Sequence, residues 1–147
     1  MKRSMTVAAG LMVALAAHAD ANAPAPGELT ALKRPADAKE FFVAPKNGDT
    51  VSSPVKVVFG VSHMTVAPAG HPQPGSGHHH LIIDAKPPPS NVPLPADEHV
   101  LHFGKGQTET TVNLPSGSHT LQLEFADYRH LPFDPPLLSE PITITVK

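Results

Sequence analysis

Residues 55–64 read VKVVFGVSHM, with Val55, Val57, Phe59 and Val61 alternating strictly against Lys56, Gly60 and Ser62. A period of two places the first set on the buried face of a β-strand. The same alternation recurs downstream. Over 107–114, Thr108, Thr110, Val112 and Leu114 oppose Gln107, Glu109, Thr111 and Asn113. Over 118–127, His119, Leu121, Leu123 and Phe125 oppose Thr120, Gln122 and Glu124, and near the end Ile142, Ile144 and Val146 point inward. Shorter strands are predicted at 41–43 and 98–103. Turn chemistry separates them at Pro45-Lys46-Asn47-Gly48-Asp49, Gly104-Lys105-Gly106 and Pro115-Ser116-Gly117. With a further strand at 78–84, about seven short strands and no sustained helical period predict an all-β fold, an antiparallel β-sandwich of immunoglobulin-like type.

That further strand lies in Gly75-Ser76-Gly77-His78-His79-His80-Leu81-Ile82-Ile83-Asp84. The glycines admit the backbone without strain, three imidazoles follow, and an apolar run is closed by a carboxylate. On a strand, His78, His80, Ile82 and Asp84 share one face while His79, Leu81 and Ile83 share the other. His78 and His80 then stand about 6.6 Å apart at the backbone, from a rise of about 3.3 Å per residue. Two imidazoles so spaced suit a single metal ion.

Three Pro-rich stretches carry no regular pattern. The run TVAPAGHPQPGSG at 65–77 contains His71, AKPPPSNVPLPA at 85–96 reads as an extended, stiff crossover between sheets, and YRHLPFDPPLL at 128–138 reads as a loop with Tyr128, His130 and Asp134. At the other end, Lys2 and Arg3 precede an apolar run over 5–17 that is too short for a bilayer, which needs about 20 apolar residues. Residues 1–19 are therefore expected to be a signal peptide, cleaved after Ala17-His18-Ala19, with a flexible leader at 20–39 and one β-sandwich domain at 40–147. A periplasmic or secreted location follows from that expectation. The chain has no cysteine, so its fold has to rest on a hydrophobic core. Loss of Lys2 and Arg3 takes the formal charge from −2 to −4, which argues against nucleic acid and anionic membranes as partners.

The segments NGDTVSSPVKVVFGV, MTVAPAG, GSGHHHLIID, LHFGKGQTETTVNLPSGSHTLQLEFAD and RHLPFDPPLLSEPITITV together resemble an exported bacterial family, the domain of unknown function DUF4399. The resemblance spans roughly 42–146, with GHHHLIID and GKGQTET its most specific parts. It implies an exported β domain and brings no activity.

Candidate chemistry centres on the histidines. His78 and His80 are the first metal-ligand candidates, with His79, His63, Met64, His71, His99, His102, His119 and His130 as the pool for the remaining positions. Imidazole is the commonest side-chain ligand for transition metals. A cysteine-free, histidine-rich site with Met64 as the one methionine after the leader points to copper, with zinc second. His79 and His119 share the phase of core residues and read first as buried imidazoles bonded to backbone, ahead of ligands; a pairing on neighbouring strands would put the site inside the sandwich. Asp84, Asp127 and Asp134 are candidate acceptors for a ligand ring N–H. The other function class is a metal-free module that docks an envelope protein or polymer through its Pro-rich loops. Catalysis ranks below binding: there is no GxSxG elbow, no HExxH helix and no cysteine, and Ser76 near His78 reads as a loop residue.

Overall fold

The computed structural model describes residues 29–147. The expected signal peptide and residues 20–28 of the leader lie outside that range. Among the described residues there are ten strands and no helix: β1 (Lys39–Ala44), β2 (Thr50–Val51), β3 (Val55–Ser62), β4 (Thr65–Val66), β5 (Ser76–Ile83), β6 (Val100–His102), β7 (Glu109–Val112), β8 (Gly117–Ala126), β9 (Pro132–Leu138) and β10 (Ile142–Val146). Among the described residues, no helix is long and apolar enough to cross a membrane.

Two sheets face each other. The smaller has the order β1-β3-β7; the larger runs β2-β10-β8-β5-β4, with β6 also paired to β5 and β9 to β8. Most pairings are antiparallel, and only the two-residue strands β2 and β4 pair in parallel. The alternation read from sequence becomes the filling of this sandwich. Val55, Val57 and Phe59 from β3, Leu81 and Ile83 from β5, Leu121 and Leu123 from β8, and Ile142, Ile144 and Val146 from β10 form one buried cluster. Each such side chain contributes about 1.5–3 kcal/mol on burial. A second cluster, Ala38, Phe125, Phe133 and Leu137, closes the end where β5 begins, and Met64 packs against it.

Strand β9 was not expected. Its sequence PFDPPLL looks like a loop because proline cannot donate to a ladder. It exists because β9 is an edge element: it meets β8 at Glu124↔Leu138, Phe125↔Leu137 and Ala126↔Pro132, with an irregularity that absorbs Asp134-Pro135-Pro136. Within the 20–39 stretch, residues 29–38 run beside β9. Asp134 N–H donates to the Leu32 carbonyl at 2.9 Å, Arg34 Nε donates to the Pro135 carbonyl at 2.8 Å, and Lys33 pairs with the Asp134 carboxylate.

Strand β5 is buried along its whole length, on both faces. Its inner face is the predicted one, His79, Leu81 and Ile83. The outer face, with His78, His80 and Ile82, is covered as well. The Pro-rich segment that follows β5 is not the expected crossover between sheets: it returns to β6, beside β5 in the same sheet, and is tied to the His130 turn by buried Leu94, whose N–H donates to the His130 carbonyl at 2.8 Å. Asp84 departs from the expected face. It sits past the strand end at φ 53°, where its carboxylate accepts from the Thr120 N–H and bonds His119.

Candidate metal centre

Four imidazoles meet on the outer face of the large sheet, and the backbone explains how each gets there. Gly77 lets β5 run tight against β8, since a Cβ at that position would lie 2.3 Å from the Ala126 carbonyl oxygen. His78 and His80 follow on the same face. The antiparallel register sets His80 directly opposite His102 of β6, so the two rings stack at 5.2 Å with 10° between their planes. On the other side of β5, His78 faces small Ala126 at the end of β8.

The chain then turns back at Asp127, and the turn presents His130. Asp127 is fully buried; its Oδ1 accepts from the N–H groups of Arg129 (2.7 Å) and Leu131 (3.1 Å), and its Oδ2 accepts from Arg129 Nε (2.9 Å) and Nη2 (2.6 Å). The Asp127 carbonyl takes the His130 N–H at 2.9 Å. These bonds hold His130 in the left-handed region at φ 67°, a conformation that costs an L-residue about 1–2 kcal/mol. His130 Nε2 lies 2.9 Å from His102 Nε2, and its ring centroid is 4.9 Å from that of His78. His78, His80 and His102 each offer a ring nitrogen, and these atoms all lie within 4.8 Å of one another.

Burial and the neighbouring rings keep the two inner imidazoles neutral, each with a single ring N–H. Burial lowers His78 to about 3, helped by the His130 and His102 rings and opposed by Asp127. Burial lowers His80 to about 2, with His78, His102 and His130 adding to it and the Glu124 main-chain carbonyl opposing. His102, at the solvent-facing edge, is lowered by partial burial and by His130. Neutral imidazole is the form that ligates a metal. Neither ring nitrogen of His78 or of His80 has a hydrogen-bond partner, although both residues are fully buried. Unpartnered buried polar atoms cost about 1–3 kcal/mol each, which a bound cation would offset.

The group can therefore hold a metal ion. In a tetrahedral site with metal–nitrogen bonds of about 2.0–2.1 Å, ligand atoms stand roughly 3.3 Å apart. The three-histidine group has to contract from spacings of up to 4.8 Å, and the 2.9 Å contact between His102 and His130 has to open slightly. His102 is exposed and His130 half-buried, so ring rotation at the mouth can supply the adjustment.

The profile of the family described as domain of unknown function DUF4399 matches residues 57–147. The chain belongs to this family. Every residue of the histidine cluster lies inside the matched DUF4399 region. Comparison with curated proteins and comparison with solved structures each gave no match.

The remaining candidates sit elsewhere in the DUF4399 fold. His79 points into the sandwich, packs on Phe59 and Phe125, and bonds Glu40 of β1 through Nδ1 at 2.8 Å. Burial raises Glu40 well above the usual carboxyl range, with Glu124 adding to it, and lowers His79 to about 4. Burial thus disfavours the charged form of both partners of this hydrogen bond. His119 is not paired with His79; its Nδ1 bonds Asp84 at 2.7 Å and its Nε2 donates to the Pro115 carbonyl at 2.9 Å. Met64 serves the core, His63 is an exposed left-handed residue near Asp37, and His99 bonds the Ile83 carbonyl at 3.0 Å. His71 is exposed in its loop. Asp84, Asp127 and Asp134 are committed to His119, Arg129 and Lys33, so none accepts from the cluster.

Sequence reasoning passed over Gly104 and Glu124. A Cβ on Gly104 would lie 2.4 Å from His102 Nε2, so this glycine keeps the space in which the His102 ring stands. The GKG run reads as turn chemistry, and nothing local announces that second duty. Glu124 alternates with the core residues of β8 and reads as solvent-facing, yet it is fully buried because the outer face is covered. Burial raises its carboxyl to about 7.

Proposed function

We propose that this protein is a periplasmic metal-binding domain that holds one divalent transition ion in the cluster His78, His80, His102 and His130, for carriage or buffering. What carries the reading is the convergence of three ring nitrogens from two adjacent strands within 4.8 Å, two of them on fully buried and unpartnered imidazoles. Copper is the first choice because divalent affinity for nitrogen donors peaks at Cu(II), and zinc is second because four imidazoles suit a tetrahedral site. With Met64 in the core, the set is all nitrogen, so the case for copper rests on the affinity order alone. Export rests on the pattern of residues 1–19. Binding ranks above catalysis, since Ser76 Oγ donates to the Gln73 carbonyl at 2.7 Å and is not joined to a base.

Thermal unfolding with and without metal tests the reading. An ion bound only to the folded state at 100 times its Kd adds about 2.7 kcal/mol. That gain should appear with Cu(II) or Zn(II) and vanish in His102→Ala, whose exposed ring leaves the core intact. A metal-free docking module predicts no gain that depends on this residue.

A further inference from the structure

We propose that Glu124 is a positioning residue for the metal centre, its carboxylate accepting the ring N–H of His80 when the other ring nitrogen ligates the ion. This rests on the metal-binding reading and deepens it. A ligand histidine keeps one N–H, and in most sites a carboxylate, carbonyl or water accepts it and so fixes the tautomer and the ring plane. His80 is fully buried, beyond the reach of bulk water, so its acceptor has to come from the protein.

Glu124 is placed to be that acceptor. The antiparallel pairing of β5 and β8 sets it directly across from His80, and directly opposed residues project from the same face with Cβ atoms about 4.5–5.5 Å apart. It is fully buried, and both of its carboxyl oxygens lack a hydrogen-bond partner, as do both ring nitrogens of His80. Two orphaned buried groups thus stand side by side on neighbouring strands. The other carboxylates near the site are taken: Asp84 by His119, Asp127 by Arg129, and one oxygen of Glu40 by His79. Glu124 lies outside the group His78, His80 and His102, whose ring nitrogens converge within 4.8 Å. Its reach is to the outer nitrogen of one of them.

Glu124→Gln tests the assignment in the untagged protein, titrated with Zn(II) beside the wild type. Loss of the carboxylate is expected to weaken Zn(II) binding about 10- to 100-fold. The metal-free melting temperature should stay level or rise, because a neutral amide replaces an unpartnered acid. A merely structural glutamate predicts the reverse, a lower melting temperature with affinity unchanged. In Zn(II)-loaded wild type, the His80 ring N–H should also give a downfield proton resonance protected from exchange, and this reading does not depend on any variant folding. Equal affinity in the two proteins overturns the role of the Glu124 carboxylate and leaves the metal site standing, with the Glu124 main-chain carbonyl as the acceptor; absence of a protected His80 proton overturns the role of Glu124 altogether. A wild type that binds no Zn(II) overturns both.

Discussion

Gly104→Ala adds a single methyl group where the His102 ring already stands. The new Cβ would lie 2.4 Å from His102 Nε2, 2.6 Å from its Cε1 and 3.2 Å from Ala69 Cβ. Ordinary contact starts near 3.4 Å, so the ring has to retreat by about 1 Å. Metal–ligand distances tolerate about 0.2 Å, so a displacement of that size removes His102 from the shell. The fold should barely notice. His102 is exposed and its ring can swing outward, and Gly104 does not use the left-handed region that would make alanine strained. Alanine at such a position stabilises by about 0.4–1 kcal/mol through the unfolded chain, offset in part by the displaced ring. Calorimetric titration should therefore show affinity down by at least tenfold, while differential scanning calorimetry shows the metal-free melting temperature within a few degrees of wild type. Wild-type affinity in Gly104→Ala would refute the placement of His102 as a ligand.

Asp127→Asn should loosen the turn that presents His130, since Oδ2 binds Arg129 through two contacts; we expect a loss of about 1.5–3 kcal/mol in urea unfolding together with weaker metal binding. The metal-free protein should also lose stability in acid with a break in slope. His78, His79 and His80 are lowered to about 3, 4 and 2, so below pH about 6.5 the unfolded chain binds three protons that the folded state refuses. Glu40 and Glu124 are raised, so above pH about 4.5 the folded state keeps protons that the unfolded chain releases. Three against two leaves a slope of about 1.4 kcal/mol per pH unit between 4.5 and 6.5, steepening to about 2.5 near pH 4, where the carboxyl offset ends while His79 begins to take up its own proton. A denaturation series across pH 3.5–7 that stays flat below 4.5 would contradict the burial of these imidazoles.

The alternation of Val55, Val57 and Phe59, and of Ile142, Ile144 and Val146, was enough to find the sandwich, because a half-buried strand writes its geometry into every second residue. The same rule separated His79 from His78 and His80. It failed at Glu124, where polar alternation implied solvent although the residue is fully buried: what covers a sheet face comes from elsewhere in the chain and leaves no periodic mark on the strand beneath. It failed again at PFDPPLL, since an edge strand tolerates prolines that a central one excludes. His102 and His130 stood in the candidate pool, but nothing chose them over His63 or His99. That choice lies in the register of β6 against β5 and in the Asp127 turn, both long-range facts.

The most direct test of the centre is a calorimetric titration of the untagged protein, residues 20–147, with Cu(II) and with Zn(II), beside His102→Ala and a His78→Ala/His80→Ala double variant. The account predicts one ion per chain in the wild type, with Cu(II) tighter than Zn(II), and binding lost in both variants. Weak binding of equal strength in all three proteins would contradict it.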